Sequence, residues 1–314
     1  MFRNYYSEIE VDEHNNTKLI KLPKNFVTNV FMKFQSAYLF SFVFLMIFAG
    51  SGYHLTGQTE NSVTVSKEVV LNDFDTILKH FNLTGSLLIF DHQLNTMYSN
   101  DFFCCREGHL PASTFKIVNS IIALETGIIN DEKSIIEWDG HKKRLPVWEK
   151  DLTFREAFQL SCVPCFQEIA RHIGVERMRA YLDTLNYPGM VFDRNSIDSF
   201  WLEGESKISQ MQQIEFLKRL YFSELPISIR THEIMMILMT TESTNEYTLY
   251  GKTGWGIRDG KNNGWYVGFV ESGDKVYFFA TNVNPMENFP MDEFPAVRLK
   301  ATKEALKLLN LIPE

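Results

Sequence analysis

Ser113 and Lys116 stand three residues apart in Ser113-Thr114-Phe115-Lys116, followed by apolar residues at Ile117, Ile121, Ile122 and Leu124 and then by Gly127. This spacing predicts a helix over 113–126, stopped by the glycine, with hydroxyl and amine on one face. A serine hydroxyl becomes a useful nucleophile when a base takes its proton. A lysine amine can be that base once burial has lowered its pKa and left it neutral. The first turn of the helix adds N–H groups and a positive dipole end, which favour a developing oxyanion. The same spacing recurs at Ser272-Gly273-Asp274-Lys275, where Gly273 predicts a surface turn. Alone, the pair is a weak signal.

Two further elements strengthen it. Lys252-Thr253-Gly254 falls on a predicted strand, where the glycine would admit a substrate backbone and the other two would offer donors to an anion. Ser161-Cys162-Val163 supplies a hydroxyl between two helical segments; Ser161 serves equally well there as the N-cap of a helix starting at Pro164. The order Ser-x-x-Lys, Ser-x-Val, Lys-Thr-Gly is far more specific than any one of the three. The eight His contain no His-Glu-x-x-His, and Cys162-Val163-Pro164-Cys165 has no second pair at zinc spacing, so no metal site is expected. The four Cys read as small buried thiols or as a disulfide in an oxidising compartment.

The elements that must hold these groups follow from periodicity. Residues 85–91 and 96–98 form a hairpin turning at His92-Gln93-Leu94-Asn95. Helical patterns cover 153–161, 164–173, 175–185 and 209–222; strands cover 247–251, 264–271 and 275–282, and a last amphipathic helix covers 293–309. Strands at both ends and helices between them predict an α+β fold: an antiparallel sheet from both terminal segments, flanked by helices, with a mostly helical middle insertion.

The ordered motifs resemble the penicillin-recognising serine enzymes, and among them the class D β-lactamases, or oxacillinases. The resemblance covers about 73–312 and includes Leu110-Pro111-Ala112-Ser113-Thr114-Phe115-Lys116-Ile117, Trp138-Asp139-Gly140, Phe200-Trp201-Leu202-Glu203-Gly204 and Tyr250-Gly251-Lys252-Thr253-Gly254-Trp255-Gly256. Class A enzymes would show Ser-Asp-Asn where this chain has Ser161-Cys162-Val163. The resemblance implies that Ser113 forms an acyl-enzyme with β-lactam substrates. It also implies that Lys116, carboxylated by CO2, is the general base in a pocket of Val163, Trp201 and Leu202. It implies further that Ser161 relays a proton to the leaving nitrogen and that backbone N–H groups of Ser113 and Trp255 form the oxyanion hole. Lys252, Thr253 and Gly254, helped by Arg298, would bind the substrate carboxylate; a solvated helix face is an equal reading for Arg298. Apart from CO2 or bicarbonate at Lys116, no cofactor is expected. Tyr187-Pro188-Gly189 departs from the family's aromatic-Gly-Asn, since Pro188 has no N–H to donate. Penicillin-sensor domains, which stay acylated, and D-Ala-D-Ala peptidases are the competing readings.

Composition adds the setting. Thirty-one Lys and Arg against 39 Asp and Glu give a net charge of −8, which argues against nucleic acid as a partner. Anionic substrates would therefore be captured by the local cluster around Lys252 rather than by the field of the whole chain. Residues 34–59 carry no Asp, Glu, Lys or Arg, and 37–49 are an apolar run of 13 residues, too short to span a bilayer comfortably. With Lys33 before it and Ala49-Gly50-Ser51-Gly52 after it, the run reads as a signal peptide over 32–51 that touches the membrane transiently. A single-pass anchor is the alternative. Residues 1–31 then read as a spurious upstream extension before a start at Met32, 52–72 as a linker or edge strand, and 73–314 as the catalytic domain. Either reading places that domain outside the cytoplasm, in the periplasm if the signal is removed.

Overall fold

The computed structural model describes residues 65–258 and 260–313. The segments read as upstream extension and signal peptide, and the first part of the linker, lie outside the described residues. Residues 67–70 form strand β1 (Lys67–Val70) at one edge of the sheet, and helix α1 (Asp73–His80) follows. The expected hairpin is β2 (Leu83–Asp91) and β3 (Thr96–Ser99), paired antiparallel from Leu88↔Ser99 to Asp91↔Thr96. A short helix α2 (Phe102–Arg106) leads toward the Ser113 region.

There the structure departs from the expected helix over 113–126. Ala112–Phe115 is a 3₁₀ turn, and helix α3 (Lys116–Glu125) starts only at the lysine. Three residues per 3₁₀ turn bring positions i and i+3 into line, so this irregular start aligns Ser113 with Lys116 more directly than an α-helix would. Gly127, with φ +71°, ends the segment as the sequence predicts.

A small hairpin of β4 (Ile135–Ile136) and β5 (Leu152–Thr153) precedes helix α4 (Phe154–Gln159), whose N-terminus is a Thr153–Glu156 capping box. Helices α5 (Val163–Ile173), α6 (Val175–Thr184), α7 (Gln210–Tyr221) and α8 (Ile229–Met239) complete the helical middle. The chain then returns through β6 (Thr240–Ser243), β7 (Tyr247–Arg258), β8 (Lys261–Ser272) and β9 (Lys275–Pro285), and ends in α9 (Phe294–Leu308). Strand β7 runs seven residues past its expected end at Gly251, because β8 pairs it continuously from Tyr247↔Ser272 to Arg258↔Lys261.

The seven-stranded sheet has the order β1-β3-β2-β9-β8-β7-β6. It is antiparallel as expected except at its edge, where β1 and β3 run parallel. Its central strands are buried on both faces, which explains the unbroken apolar runs in β8 and β9. One face packs on α1 and α9 through Phe74, Leu78, Phe294, Val297 and Ala301. The other packs on the helical middle through Phe115, Ile121, Ile122, Phe166 and Leu217. Gly264 lets α9 lie flat on the sheet: a Cβ there would stand 2.5 Å from Phe294 Cζ and 2.7 Å from Arg298 Cδ. Two layers of helix around one sheet leave the Ser113 turn between sheet and helical middle.

Candidate active site

Ser113 is held from three sides. Thr114 Oγ1 donates to Pro111 O (2.7 Å) and accepts from Gln213 Nε2 of α7 (2.9 Å). Leu110 O, just upstream, accepts from Trp265 Nε1 (2.9 Å) and Asn263 Nδ2 (2.8 Å) of β8. Strand β7 presses against the same turn at Gly254, where a Cβ would lie 3.1 Å from Thr114 Cγ2 and 3.2 Å from Pro111 O. A side chain at Gly254 would force these neighbours to give by a few tenths of an ångström, so the glycine keeps β7 close to the Ser113 turn. The Trp255 indole donates to Asn262 Oδ1 (2.9 Å).

Lys116 is fully buried, with Nζ 2.8 Å from Ser113 Oγ and 5.2 Å from the Phe166 ring centre. Removal from water disfavours the ammonium and pushes the amine down to about 7. Trp201 is also fully buried and stacks on Phe115, the residue before Lys116, with centroids 5.4 Å apart. Its indole Nε1 has no hydrogen-bond partner, a costly state for a buried donor. Val163 and Leu202 are partly buried and pack against the same core cluster.

Lys252 and Ser161 form the second polar pair. Lys252 Nζ donates to Ser161 Oγ (3.0 Å) and to Thr253 O (2.9 Å), and lies 5.7 Å from the Phe158 ring centre. Burial, then the neighbouring positive charges of Lys116 and Arg298, hold its pKa well below the usual lysine range. Ser161 is not the helix cap that was its other reading. Cys162 occupies the N-cap of α5, and Ser161 has φ +53°, which frees its hydroxyl for Lys252.

Arg298 is buried, so the solvated-face reading does not hold. Its guanidinium donates to the carbonyls of Phe294, Gly254, Trp265 and Pro295, and burial lowers its pKa to about 10. Lys252, Thr253 and Arg298 line one cleft of about 460 Å³ with Phe158, Gln159 and Leu299. The cleft combines the donors of Lys252, Thr253 and Arg298 with apolar lining from Phe158, Leu238 and Leu299.

The Tyr187-Pro188-Gly189 loop is tied down without a Pro188 N–H: Lys207 N donates to Gly189 O (2.8 Å), and Tyr187 is buried edge-on against Phe216 at 4.9 Å. Sequence reading missed Phe166, Phe158 and Gln213. The two phenylalanines lie on helices that periodicity located, but nothing in their spacing marks them as the rings facing the two lysines. Gln213 is a polar residue on the buried side of α7, which was the available signal. Cys162 and Cys165 are joined in a disulfide, and Cys104 and Cys105 are free.

Residues 94–293 match the model of the penicillin-binding protein transpeptidase domain. The chain is 37% identical over 229 residues to β-lactamase OXA-48 of Klebsiella pneumoniae, covering 73% of this chain and 84% of that protein. The solved class D β-lactamase YbXI from Nostoc is 40% identical and superposes with a TM-score of 0.72, covering 76% of this chain and 99% of its own. The chain belongs to the class D β-lactamases. A class D enzyme from Sebaldella termitidis, 35% identical, superposes with a TM-score of 0.74 over 79% of this chain and 100% of its own. Membership in this family of serine enzymes agrees with the α+β architecture and with the order of the three motifs along the chain.

Proposed function

We propose that this chain hydrolyses β-lactam antibiotics through an acyl-enzyme on Ser113. The observation that carries this reading is the buried Lys116 amine, 2.8 Å from Ser113 Oγ and held near neutrality by its surroundings. As Ser113 Oγ attacks the lactam carbonyl carbon, its proton passes to the base at Lys116. The carbonyl oxygen, now negative, is received by the Ser113 and Trp255 N–H groups, a device worth about 10²–10³ in rate per donor. The C–N bond of the ring breaks; Ser161, 3.0 Å from Lys252 Nζ, delivers a proton to the departing nitrogen and recovers the one held at Lys116, which restores the base. Water, deprotonated at Lys116, then adds to the ester carbonyl, and as the bond to Ser113 Oγ breaks the proton passes from Lys116 to that oxygen. Lys252, Thr253 and Arg298 orient the substrate carboxylate in their shared cleft.

The residues present fit carboxylation of Lys116. A buried neutral amine is the form that adds CO2, and the unpartnered Trp201 Nε1 is a donor awaiting an acceptor. Trp201, with Val163 and Leu202 packed against the same core cluster, would hold the added group, which would supply a carboxylate oxygen as the base. Export is supported by the uncharged segment 34–59 and by the Cys162–Cys165 disulfide, a bond that persists in oxidising compartments such as the periplasm.

The test is turnover of a penicillin, oxacillin, a cephalosporin and a carbapenem by the purified chain, with and without bicarbonate. Many turnovers per enzyme, lost in Lys116→Ala, are the expected result. Uptake of one equivalent followed by arrest, with bicarbonate present, would overturn it in favour of a sensor. Cleavage of a D-Ala-D-Ala peptide without lactam turnover would favour a peptidase.

A further inference from the structure

Ser161 must keep an unfavourable backbone conformation in order to work. Its φ of +53° lies in the left-handed region, which residues other than glycine rarely enter, and such residues persist only where their surroundings over-determine them. On the N-terminal side, Ser161 N donates to Phe158 O (3.1 Å) at the end of α4. On the C-terminal side, the next residue does the holding. Cys162 N donates to Ala157 O (2.8 Å), and its side chain caps α5 by accepting from Cys165 N (3.3 Å). Sulfur is a weak acceptor, and the usual caps are Ser, Thr, Asp and Asn. Phe166 N also donates to Cys162 O (3.3 Å), and the bond to Cys165 adds a covalent tie between the Cys162 side chain and the first turn of α5.

We propose that the Cys162–Cys165 disulfide is a positioning device for Ser161, and that opening it with a dithiol slows β-lactam turnover reversibly. The proposal rests on Ser161 acting as the proton relay. Cys162 is fully buried, whereas Cys165 retains 9% exposure, and both line a surface cavity of about 240 Å³ bordered by Trp138, Pro164 and Arg171. A thiolate of the dithiol attacks the Cys165 sulfur; the Cys162–Cys165 bond breaks as the mixed disulfide forms, and Cys162 leaves as a thiolate that takes up a proton. The second thiol of the reagent then displaces Cys165. Two electrons and two protons have passed to the enzyme, and the reagent departs as its cyclic disulfide. With the staple open, Cys162 is tied to α5 by the weak sulfur cap and by Phe166 N, which donates to Cys162 O (3.3 Å). Ser161 then relaxes toward ordinary φ, and Lys252 loses its hydroxyl partner. Ser113 and Lys116 are untouched.

The experiment measures kcat/KM for a chromogenic cephalosporin on the full chain before and after dithiothreitol, with thiols counted in denaturant. Reduction should raise the count by two above Cys104 and Cys105, lower kcat/KM about five- to tenfold, and be reversed on reoxidation. Cys162→Ala with Cys165→Ala should match the reduced enzyme and ignore the reagent. Cys162→Ser with Cys165→Ala, which supplies an oxygen cap without a disulfide, should recover most of the loss. The residual activity of Ser161→Ala should not change on reduction, because the disulfide acts through that residue. If the thiol count fails to rise, the double alanine variant decides the matter, and wild-type kinetics in that variant would overturn the proposal. So would unchanged kinetics in fully reduced wild type, or an equal loss in wild type and Ser161→Ala. An oxidised wild-type chain that turns over no β-lactam would instead overturn the hydrolase reading.

Discussion

Lys116 allows the hydrolase mechanism to be tested through pH and stability together. Burial brings its amine from an ordinary 10.5 to about 7, which corresponds to roughly 5 kcal/mol against the ammonium at about 1.4 kcal/mol per tenfold change. In the unfolded chain the amine keeps its proton up to its ordinary pKa, whereas in the folded chain it loses the proton above about 7. The unfolded state therefore binds more protons between about 7 and 10.5, and stability from this group rises with pH across that window. Below about 7 both states are protonated and the full cost is felt. The neutral fraction is about one tenth at pH 6, one half at pH 7 and nine tenths at pH 8. The perturbations are a titration from pH 5 to 9 at constant bicarbonate and the substitution Lys116→Met, which keeps the apolar stem. Initial rates at low chromogenic substrate should fall about tenfold per pH unit below about 6.5 and level off above about 8. Lys116→Met should have no turnover yet resist urea better at pH 6, by at most roughly 5 kcal/mol less about 1 kcal/mol for the lost Ser113 bond. A flat pH profile, or a Met variant less stable than the parent, would refute the account of a buried lysine held neutral.

Trp201→Phe removes the unpartnered indole N–H and should cut hydrolysis about 10–100-fold, an estimate based on loss of one charge-assisted hydrogen bond, with partial recovery at high bicarbonate. Rates measured across a bicarbonate series would show it. Arg298→Ala leaves the carbonyls of Gly254 and Trp265 without this donor; urea denaturation should register a loss of about 2–4 kcal/mol, and KM should rise. Gly268→Ala would drive a Cβ into Tyr250 O on the neighbouring strand, so soluble expression should fail. Gly273→Ala, in a turn at φ +62° with open space around it, should cost only about 1 kcal/mol by thermal melting.

How much of this was legible in the sequence depended on distance along the chain. The hairpin around Asn95, the stop at Gly127 and the helices over 153–161, 164–173, 175–185, 209–222 and 293–309 are written in short-range periodicity and turn chemistry, and the structure follows them; α8 (Ile229–Met239) went unread. The 3₁₀ start at Ser113 was not, because Ile117, Ile121 and Ile122 continue a helical pattern that hides the change of pitch before Lys116. Nor was the full length of β7. Lys252-Thr253-Gly254-Trp255-Gly256 has weak strand propensity, and its extension depends on pairing with β8. In the site, residue types and order marked Ser113, Lys116, Ser161 and Lys252. The i,i+3 spacing already paired Lys116 with Ser113, whereas the facing of Lys252 and Ser161 was settled only by packing. Cys162 and Cys165 could be read as thiols or as a pair, since i,i+3 spacing permits both. Burial of Arg298 depended on Gly264, more than thirty residues upstream, lacking a side chain.

The sheet order bears on the life of the chain before it is an enzyme. Strand β2 lies in register with β9, so Thr84 sits opposite Asn284, 200 positions later. The Ser113 turn is clasped by Gly254 and by Gln213, and Ser161 waits for Lys252, 91 positions on. A ribosome delivers these groups in sequence, so the serine emerges long before the strand that cradles it. Such long-range closure is slow and leaves apolar strands uncovered in the meantime. The same delay keeps the nascent chain unarmed: until it folds, Ser113 and Lys116 are ordinary side chains in water, and the amine is not yet buried. Reactivity requires β7, which carries Lys252 and Gly254, to be in place beside Ser161 and the Ser113 turn.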